Sequence, residues 1–292
     1  MSNPADNGKK ARREHARELA RQEREAAKRK QKRNRLFIQS GIIVAVLAAV
    51  AIVTLVIVNS TTTSAVNPKN MASNGILFTG DGTNVSPVAT KALKVGADPV
   101  ATDTSTLDSS VNIVTYIDYA CPICKTFETT NAEQIDGWVK TGDASLEIHP
   151  ISILDRVSLG TKYSSRAANA AVCVANYDPD NYMAVNDALF AQQPEENTSG
   201  LDTAALKKLV ADAGADGDDV SSCISDKTFG DWVTSATDLV TSGKLASDTV
   251  TEFVGTPTVL VNGQLYQGAV DDPAAFAAFV SQVAAESTTP AE

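Results

Sequence analysis

The chain has 292 residues, four cysteines and a formal net charge of −10, so it can form one or two domains with a substantial core. Residues 1–35 hold 13 Lys and Arg against 5 Asp and Glu, whereas the remainder holds 12 basic and 30 acidic residues. Because the excess of basic charge is confined to an N-terminal arm and the rest has a net negative charge, we exclude nucleic acid as a partner.

The first predicted element is an apolar segment, residues 36–58, which has 23 positions without a charge. A helix of this length reaches roughly 34 Å, enough to cross a hydrocarbon core of ~30 Å. The excess of Lys and Arg lies on its N-terminal side, so the positive-inside rule places residues 1–35 in the cytoplasm and the rest outside. We therefore expect a single-pass protein of the cell membrane. A cleaved signal peptide is the alternative, but its apolar region is normally only ~7–15 residues long.

After the predicted transmembrane helix, residues 59–74 are rich in Thr, Ser and Asn and indicate a linker. We expect a short strand at residues 75–79 and a short helix at residues 87–93. Val111–Ile117 is rich in β-branched residues and has apolar residues at both odd and even positions, which point to opposite faces of a strand. This pattern predicts a central strand that is buried on both faces.

The most informative motif follows directly and is Cys121-Pro122-Ile123-Cys124. Pro122 suits the first turn of a helix, where the missing N–H costs nothing. Residues 146–154 indicate the next strand, so strand, motif, helix and strand together predict a βαβ unit. Two thiols that are separated by two residues at a helix start can close into an easily opened disulfide. The motif therefore predicts thiol–disulfide exchange.

The rest of the chain is predicted to be helical first and then to return to strands. Asn262-Gly263 is the preferred pair for a type I′ hairpin turn. An Asp-Pro pair is typical of a helix cap followed by the first helical residue. The predicted elements are a helical block over about residues 158–245, strands at Thr258–Val261 and 264–266, a last helix opened by Asp272-Pro273 and a frayed tail at 286–292.

The four cysteines all lie on the outer side of the predicted span and allow three disulfide pairings. Their spacing favours Cys121 with Cys124, and Cys173 with Cys223. The second pair would close a loop of roughly 50 residues, which contributes about 4 kcal/mol in a chain-entropy treatment, so we interpret it as structural. A four-cysteine zinc site is the alternative, but structural zinc normally draws on two closely spaced pairs. We expect no metal, and an inert Cys121–Cys124 staple remains a further alternative.

These motifs resemble the DsbA-like thiol–disulfide oxidoreductases, in particular the membrane-anchored forms of actinobacteria. The resemblance covers about residues 75–285. It implies an α/β, thioredoxin-like fold with a helical insertion, here preceded by a single N-terminal transmembrane helix. It rests on the helical insertion, on residues 116–125, on Gly255-Thr256-Pro257-Thr258 and on Val261-Asn262-Gly263.

Two positions depart from the family pattern. The best-known oxidising members have His where this chain has Ile123, and thioredoxins commonly have an acidic residue where it has Thr115. Both changes affect charge control near the thiols, so the redox potential does not transfer. Because Ile123 donates no hydrogen bond, we expect a lowered pKa of Cys121 that is less extreme than in the His-bearing enzymes.

The resemblance and the helix position together suggest roles for the site residues. Cys121 is the expected nucleophile, because backbone N–H groups at a helix N-terminus stabilise its thiolate. Cys124 is the expected leaving or resolving thiol. Thr256 and Pro257 are expected to form a cis-proline loop that faces the cysteines and binds extended substrate as an added strand.

Two residues before the motif have open roles. Asp118 and Tyr119 either line the rim of the site or tune the thiol, and Asp118 alternatively caps the approaching turn. His149 is interpreted as a strand residue and not as a catalyst.

The expected function is therefore disulfide donation to unfolded or reduced secreted proteins, by a monomer whose redox-active disulfide is its only cofactor. The resemblance also implies a membrane partner, quinone-linked, that reoxidises the enzyme. Two alternatives stay open. The same motif serves a disulfide reductase or isomerase, and a non-catalytic thioredoxin-like surface binding module would have the same fold.

Overall fold

The computed structural model describes residues 66–245, 250 and 252–287. The predicted basic arm, the predicted transmembrane helix, residues 59–65 of the linker and most of the tail lie outside these residues, so those assignments stay predictions. Within the described part of the chain, no helix is both long and apolar enough to cross a membrane.

The described residues form one mixed sheet with helices, and five of the helices lie between the fourth and fifth strands. This is the helical insertion predicted for about residues 158–245. The elements are β1 Ile76–Gly80, β2 Val85–Pro87, β3 Val111–Ile117, α1 Pro122–Thr141, β4 Ala144–Pro150, α2 Tyr163–Tyr177, α3 Tyr182–Ala191, α4 Thr203–Asp212, α5 Asp218–Asp226, α6 Gly230–Thr241, β5 Thr258–Val261, β6 Gln264–Leu265 and α7 Pro273–Ser287.

The sheet has the strand order β2-β1-β4-β3-β5-β6. β3 and β4 are parallel, whereas the other neighbouring strands are antiparallel. A parallel pair needs a long crossover, and α1 supplies it. The predicted βαβ unit is confirmed, and the fold is thioredoxin-like with a helical insertion.

β3 is buried on both faces, as predicted. Ile113 and Ile117 point into the main hydrophobic core. Val114 and Tyr116 belong to a smaller cluster with Leu260 of β5, on the opposite face because side chains alternate along a strand. A strand held on both sides gives a rigid base for the residues that follow it.

The position of α1 is set by its sequence at both ends. Pro122 is its first residue, and Gly142 follows it in the left-handed conformation with φ 83°. The N–H of Gly142 closes the last turn by donating to the carbonyl of Val139 at 3.0 Å. Phe127 and Ile135 lie on the buried face. Cys121 is thereby placed at the N-terminus of α1, beyond the C-terminal end of β3.

The closing hairpin places a second loop beside the same end of β3. Asn262 has φ 45° and Gly263 has φ 78°, as a type I′ turn requires. β5 pairs with β3 so that Thr258 lies opposite Tyr116. The loop before Thr258 therefore lies next to the turn that carries Cys121.

The last helix begins as predicted. The Asp272 carboxylate accepts hydrogen bonds from the N–H groups of Ala274 and Ala275, each at 3.0 Å. Phe276, Val280 and Val283 form its buried face. The aspartate cap and the proline at the first helical position are thus both present.

Three local predictions need correction. The helix expected at residues 87–93 is absent, because Val85–Pro87 is strand β2 and the N–H of Val88 donates to the Leu77 carbonyl at 2.8 Å. The strand expected at 146–154 is Ala144–Pro150. The first strand begins and ends one residue later than expected.

Cys173 of α2 and Cys223 of α5 form a disulfide, with a Cα–Cα distance of 5.8 Å and a sequence separation of 50. The bond pins two helices of the insertion to each other. It also takes two of the four thiolates that a four-cysteine zinc site would need, so that alternative is wrong.

Candidate active site

Cys121 is the residue that caps helix α1. Its sulfur accepts a hydrogen bond from the backbone N–H of Cys124 at 3.4 Å. Its thiol also lies 3.3 Å from the carbonyl oxygen of Thr256 and donates to it. The side chain is nearly buried, with 5% of its surface exposed. The sulfur therefore faces two backbone groups from opposite parts of the chain.

The pKa of Cys121 is lowered from 9.0 to about 6. The largest cause is a hydrogen bond from the Cys124 thiol, and the backbone N–H groups of Cys124 and Ile123 add to it, whereas burial opposes it. A side-chain hydrogen bond from Thr256 also favours the thiolate, whereas the donation of the neutral thiol to the Thr256 carbonyl opposes ionisation. The value lies between the pKa values of about 7 in thioredoxin and about 3.5 in DsbA. Helix N–H groups contribute as expected, but the neighbouring thiol matters most.

Cys124 has the opposite environment. It is 0% exposed, and burial raises its pKa well above 9.0. Both cysteines are free thiols in this structure. A neutral thiol beside a stabilised thiolate is the arrangement that exchange chemistry needs, since one sulfur attacks and the other later resolves.

The loop opposite Cys121 contains the predicted cis peptide bond, between Thr256 and Pro257. Gly255 precedes it with φ 133°, a conformation that glycine adopts readily. The Thr258 hydroxyl donates to the Gly255 carbonyl at 2.6 Å and closes the loop. The four predicted site residues, Cys121, Cys124, Thr256 and Pro257, are thus brought together although 132 positions separate Cys124 from Thr256.

Asp118 and Tyr119 do not line the rim, because each is 0% exposed. The Asp118 carboxylate caps the turn instead, accepting from the N–H of Ala120 at 2.8 Å and from that of Leu154 at 2.9 Å. Burial raises the pKa of Asp118. Burial excludes the rim position for both residues, and a role in tuning the thiol stays a prediction.

Pro122 and Ile123 are exposed, and they form the accessible side of the motif. Ile123 is 54% exposed, and Val254, just before the cis-proline loop, is 70% exposed. Exposed apolar side chains next to a reactive group are typical of surfaces that contact other polypeptides. Val254 was not predicted as a site residue, because a single valine in a loop carries no sequence signal.

Two residues of the insertion that the sequence did not reveal contact the segment that carries the motif. Gln193 donates from Nε2 to the carbonyls of Tyr119 at 3.0 Å and Cys121 at 2.9 Å. Asn186 of α3 accepts from the Tyr119 hydroxyl at 3.0 Å and donates to the Glu128 carboxylate at 3.2 Å. Burial raises the pKa of Glu128 to about 7. Only the packing of the insertion against α1 reveals these contacts.

His149 is a strand residue, as predicted. It is buried in β4, its Nε2 lies 2.9 Å from the Glu147 carboxylate, and its ring stacks on Tyr116. No contact joins it to either cysteine of the motif within the described residues. A Cys/His hydrolase centre is therefore not formed by these groups.

A comparison with known families matches the same region. The model described as Thioredoxin (Thioredoxin_4) matches residues 106–282, which include the cysteine motif and the cis-proline loop. The chain belongs to this thioredoxin family. The match ends before the last residues of α7 and begins shortly before β3.

Solved structures of thiol–disulfide oxidoreductases are similar to this thioredoxin-family chain. Oxidized Mtb DsbA is 27% identical, with a TM-score of 0.53 and coverage of 72% of this chain and 92% of that one. Reduced DsbG from Mycobacterium tuberculosis is 25% identical, with a TM-score of 0.52 and coverage of 74% and 95%. BdbD from Bacillus subtilis, at 18% identity and a TM-score of 0.52, covers 75% and 96% and shows the fold alone.

The curated relatives are of another kind. Over 173 residues, the chain is 32% identical to the serine/threonine-protein kinase PknE of Mycobacterium tuberculosis and to that of Mycobacterium bovis. The match covers 57% of this chain and 29% of each kinase. The chain therefore spans less than a third of the length of these relatives.

Proposed function

We propose that this chain is an extracytoplasmic, membrane-tethered thiol–disulfide oxidoreductase that donates the Cys121–Cys124 disulfide to secreted proteins. The observation that carries the proposal is the contrast between the two thiols. The pKa of Cys121 is lowered to about 6, whereas that of Cys124 is raised by burial. A stable Cys121 thiolate favours the reduced enzyme, which makes the oxidised enzyme a good disulfide donor.

The proposed cycle begins with the Cys121–Cys124 disulfide. A substrate thiolate attacks the sulfur of Cys121, the bond to Cys124 breaks, and Cys124 takes up a proton. A second thiolate of the substrate then attacks the first substrate sulfur, and Cys121 leaves as a thiolate. Two electrons pass to the enzyme, and the substrate gains one disulfide.

The enzyme must then be reoxidised. We propose a quinone-linked membrane partner that accepts the two electrons, as the family resemblance implies. No cofactor beyond the redox-active disulfide is needed, because the exchange moves electrons between sulfur atoms only.

The proposed substrates are unfolded or reduced secreted proteins. The Thr256 backbone faces Cys121 and can pair with an extended substrate chain. Such pairing uses main-chain hydrogen bonds and so does not depend on the substrate's sequence. The exposed Ile123 and Val254 offer apolar contacts without charge selection. These features support a broad clientele.

The proposed location rests on residues 1–58, which the structure does not describe. The charge asymmetry around residues 36–58 supports a redox domain outside the cytoplasm on a single-pass anchor, and we propose that the protein is a monomer. A membrane-impermeant reductant followed by a membrane-impermeant thiol reagent tests this: the pair should label Cys121 in intact cells, and labelling only after lysis would refute the orientation.

The direction of the reaction is decided by the redox potential of the Cys121–Cys124 pair. A value of about −120 mV suits an oxidase, and a value of about −270 mV suits a reductase. Equilibration of the purified protein in glutathione buffers measures it. A strongly reducing value would replace the oxidase by the reductase or isomerase alternative.

A second candidate is a non-catalytic binding module with a thioredoxin-like fold. The similarity to a segment of proteins named as kinases favours it, because such a segment need not act as an oxidoreductase there. Cys121→Ala separates the two. If the variant still oxidised a reduced secreted substrate as fast as the unaltered protein, the enzymatic proposal would be wrong.

A further inference from the structure

We propose that Gln193 is a positioning residue that fixes the turn carrying Cys121 and, through it, the nucleophilic sulfur. Gln193 lies just after α3, in the helical insertion, 72 positions from Cys121. This inference rests on the proposed function only because it takes Cys121 as the nucleophile.

One side-chain amide holds two carbonyl groups of the turn. The Nε2 of Gln193 lies 3.0 Å from the carbonyl oxygen of Tyr119 and 2.9 Å from that of Cys121. An amide nitrogen carries two hydrogens, so both bonds form at once. The reverse orientation would set the amide oxygen against two carbonyl oxygens, so these partners determine how the amide points.

The two carbonyls depend on Gln193 to different degrees. The Cys121 carbonyl also accepts the N–H of Lys125 at 3.1 Å, in the first turn of α1. Tyr119 is fully buried, and within the described residues Gln193 is the side chain that donates to its carbonyl. Loss of the amide would leave a buried acceptor short of a donor, which drives the turn to rearrange.

The backbone of Gln193 and the end of α3 are themselves held in place. The Gln193 N–H donates to the carbonyl of Phe190 at 3.2 Å. The Phe190 ring lies 5.0 Å from that of Tyr119, and Asn186 accepts from the Tyr119 hydroxyl at 3.0 Å. The insertion therefore contacts both the side chain and the backbone of Tyr119, which lies two residues before Cys121.

A displaced turn would change the hydrogen bonds to the Cys121 sulfur. This sulfur accepts from the Cys124 N–H at 3.4 Å, and a hydrogen bond weakens steeply as its angle and distance depart from the optimum. A small displacement of the turn would weaken that bond and the one from the Cys124 thiol. Both favour the thiolate, so release of the turn should raise the pKa of Cys121 and make the disulfide less oxidising.

The test uses variants of the full chain. Gln193→Met keeps the length of the side chain and removes both donors. Gln193→Glu directs a carboxylate at the two carbonyls. Gln192→Ala is the matched control, because Gln192 is the exposed neighbour. The ultraviolet absorbance of the thiolate is followed against pH, and the potential of the Cys121–Cys124 pair is measured in glutathione buffers.

We expect Gln193→Met to raise the Cys121 pKa by about half a unit or more. Gln193→Glu should raise it further, and Gln192→Ala should leave it unchanged. A folded Gln193→Met variant with an unaltered pKa and potential would overturn the inference, even if its thermal stability fell. If that variant does not fold, Gln193→Asn, which keeps the amide one methylene shorter, undergoes the same test with the same outcomes.

Failure of this inference differs from failure of the proposed function. An ordinary pKa for Cys121 in the unaltered protein would remove the basis of the proposed function. A low pKa there, unchanged in the Gln193 variants, would refute the positioning role alone.

Discussion

At the scale of single residues, two thiols three positions apart have opposite environments. Cys121 caps α1 and accepts hydrogen bonds, whereas Cys124 lies beneath it and is fully buried. The pKa difference follows from which sulfur receives donors and which one loses water. The reactivity of the site therefore depends on the geometry of one helical turn.

The first prediction concerns the largest cause of the low pKa, the Cys124 thiol. Cys124→Ala removes that donor and should raise the pKa of Cys121 above its value of about 6. Cys124→Ser keeps a donor and should raise it less. Thiolate absorbance of the two variants against pH measures the difference, and equal pKa values would contradict the assignment.

The lowered pKa also predicts how stability depends on pH. The folded pKa of Cys121 is about 6 against an ordinary 9.0, so the reduced form gains stability that is present above pH 9 and lost as pH falls through about 6. The difference in unfolding free energy between reduced and oxidised protein should change over this window. Urea unfolding of both forms between pH 5 and about 9 measures it.

Because the pKa of Glu128 is raised, we predict that its contribution to stability depends on pH with the opposite sign. Burial raises its pKa from 4.5 to about 7, so the folded state binds more protons than the unfolded state between these values. Stability should fall as pH rises from about 4.5 to 7, and Glu128→Gln should be more stable than the unaltered protein above pH 7, by about 1–3 kcal/mol. Denaturant unfolding at two pH values measures this. Glu133→Gln, an exposed position of the same helix, is the control.

At the scale of elements, α1 is defined by three sequence signals that agree with one another. Its capping cysteine, its proline at the first helical position and its C-terminal glycine all match the observed bounds. These local signals account for where the helix begins and ends. The strand β2 was missed because three residues with a proline at the end carry no alternating pattern.

The two glycines of this region predict opposite effects. Gly142 has φ 83° after the end of α1, so Gly142→Ala should cost about 1 kcal/mol through strain, although the added Cβ would lie no nearer than 3.8 Å to the Gly80 carbonyl oxygen. Gly137 lies inside α1 with open space around it, so Gly137→Ala should stabilise by about 0.5–1 kcal/mol. Equal effects of the two substitutions in denaturant unfolding would contradict this reading of the helix.

At the scale of the whole molecule, the insertion is both a covalently closed unit and a support for the site. The disulfide joins α2 to α5, whereas Asn186 of α3 and Gln193, just after α3, contact the turn of Cys121. The two tasks use different helices. Loss of the structural disulfide should therefore affect stability much more than the chemistry of Cys121.

We predict that replacing both Cys173 and Cys223 by alanine lowers the unfolding free energy by about 2–5 kcal/mol, since the closed loop is long. The pKa of Cys121, measured by thiolate absorbance at a temperature where the variant is folded, should stay near 6. A large shift of that pKa would show that the disulfide also shapes the active site.

The sequence by itself determined the βαβ unit, the nucleophile motif, the hairpin and the last helix, because each depends on neighbours within a few residues. Cap residues, turn pairs and strand periodicity are local signals. The order of residues alone was therefore enough to single out Cys121 as the candidate nucleophile.

Only the tertiary structure decided which distant groups meet that thiol. Thr256 lies beside the Cys121 sulfur because β5 pairs with β3 in one register, and Gln193 reaches the Cys121 carbonyl because α3 packs on the same turn. Asp118 and Tyr119 point inward for the same reason, which no spacing along the chain could reveal. Packing between elements far apart in sequence set these contacts, and they in turn set the chemistry of the sulfur.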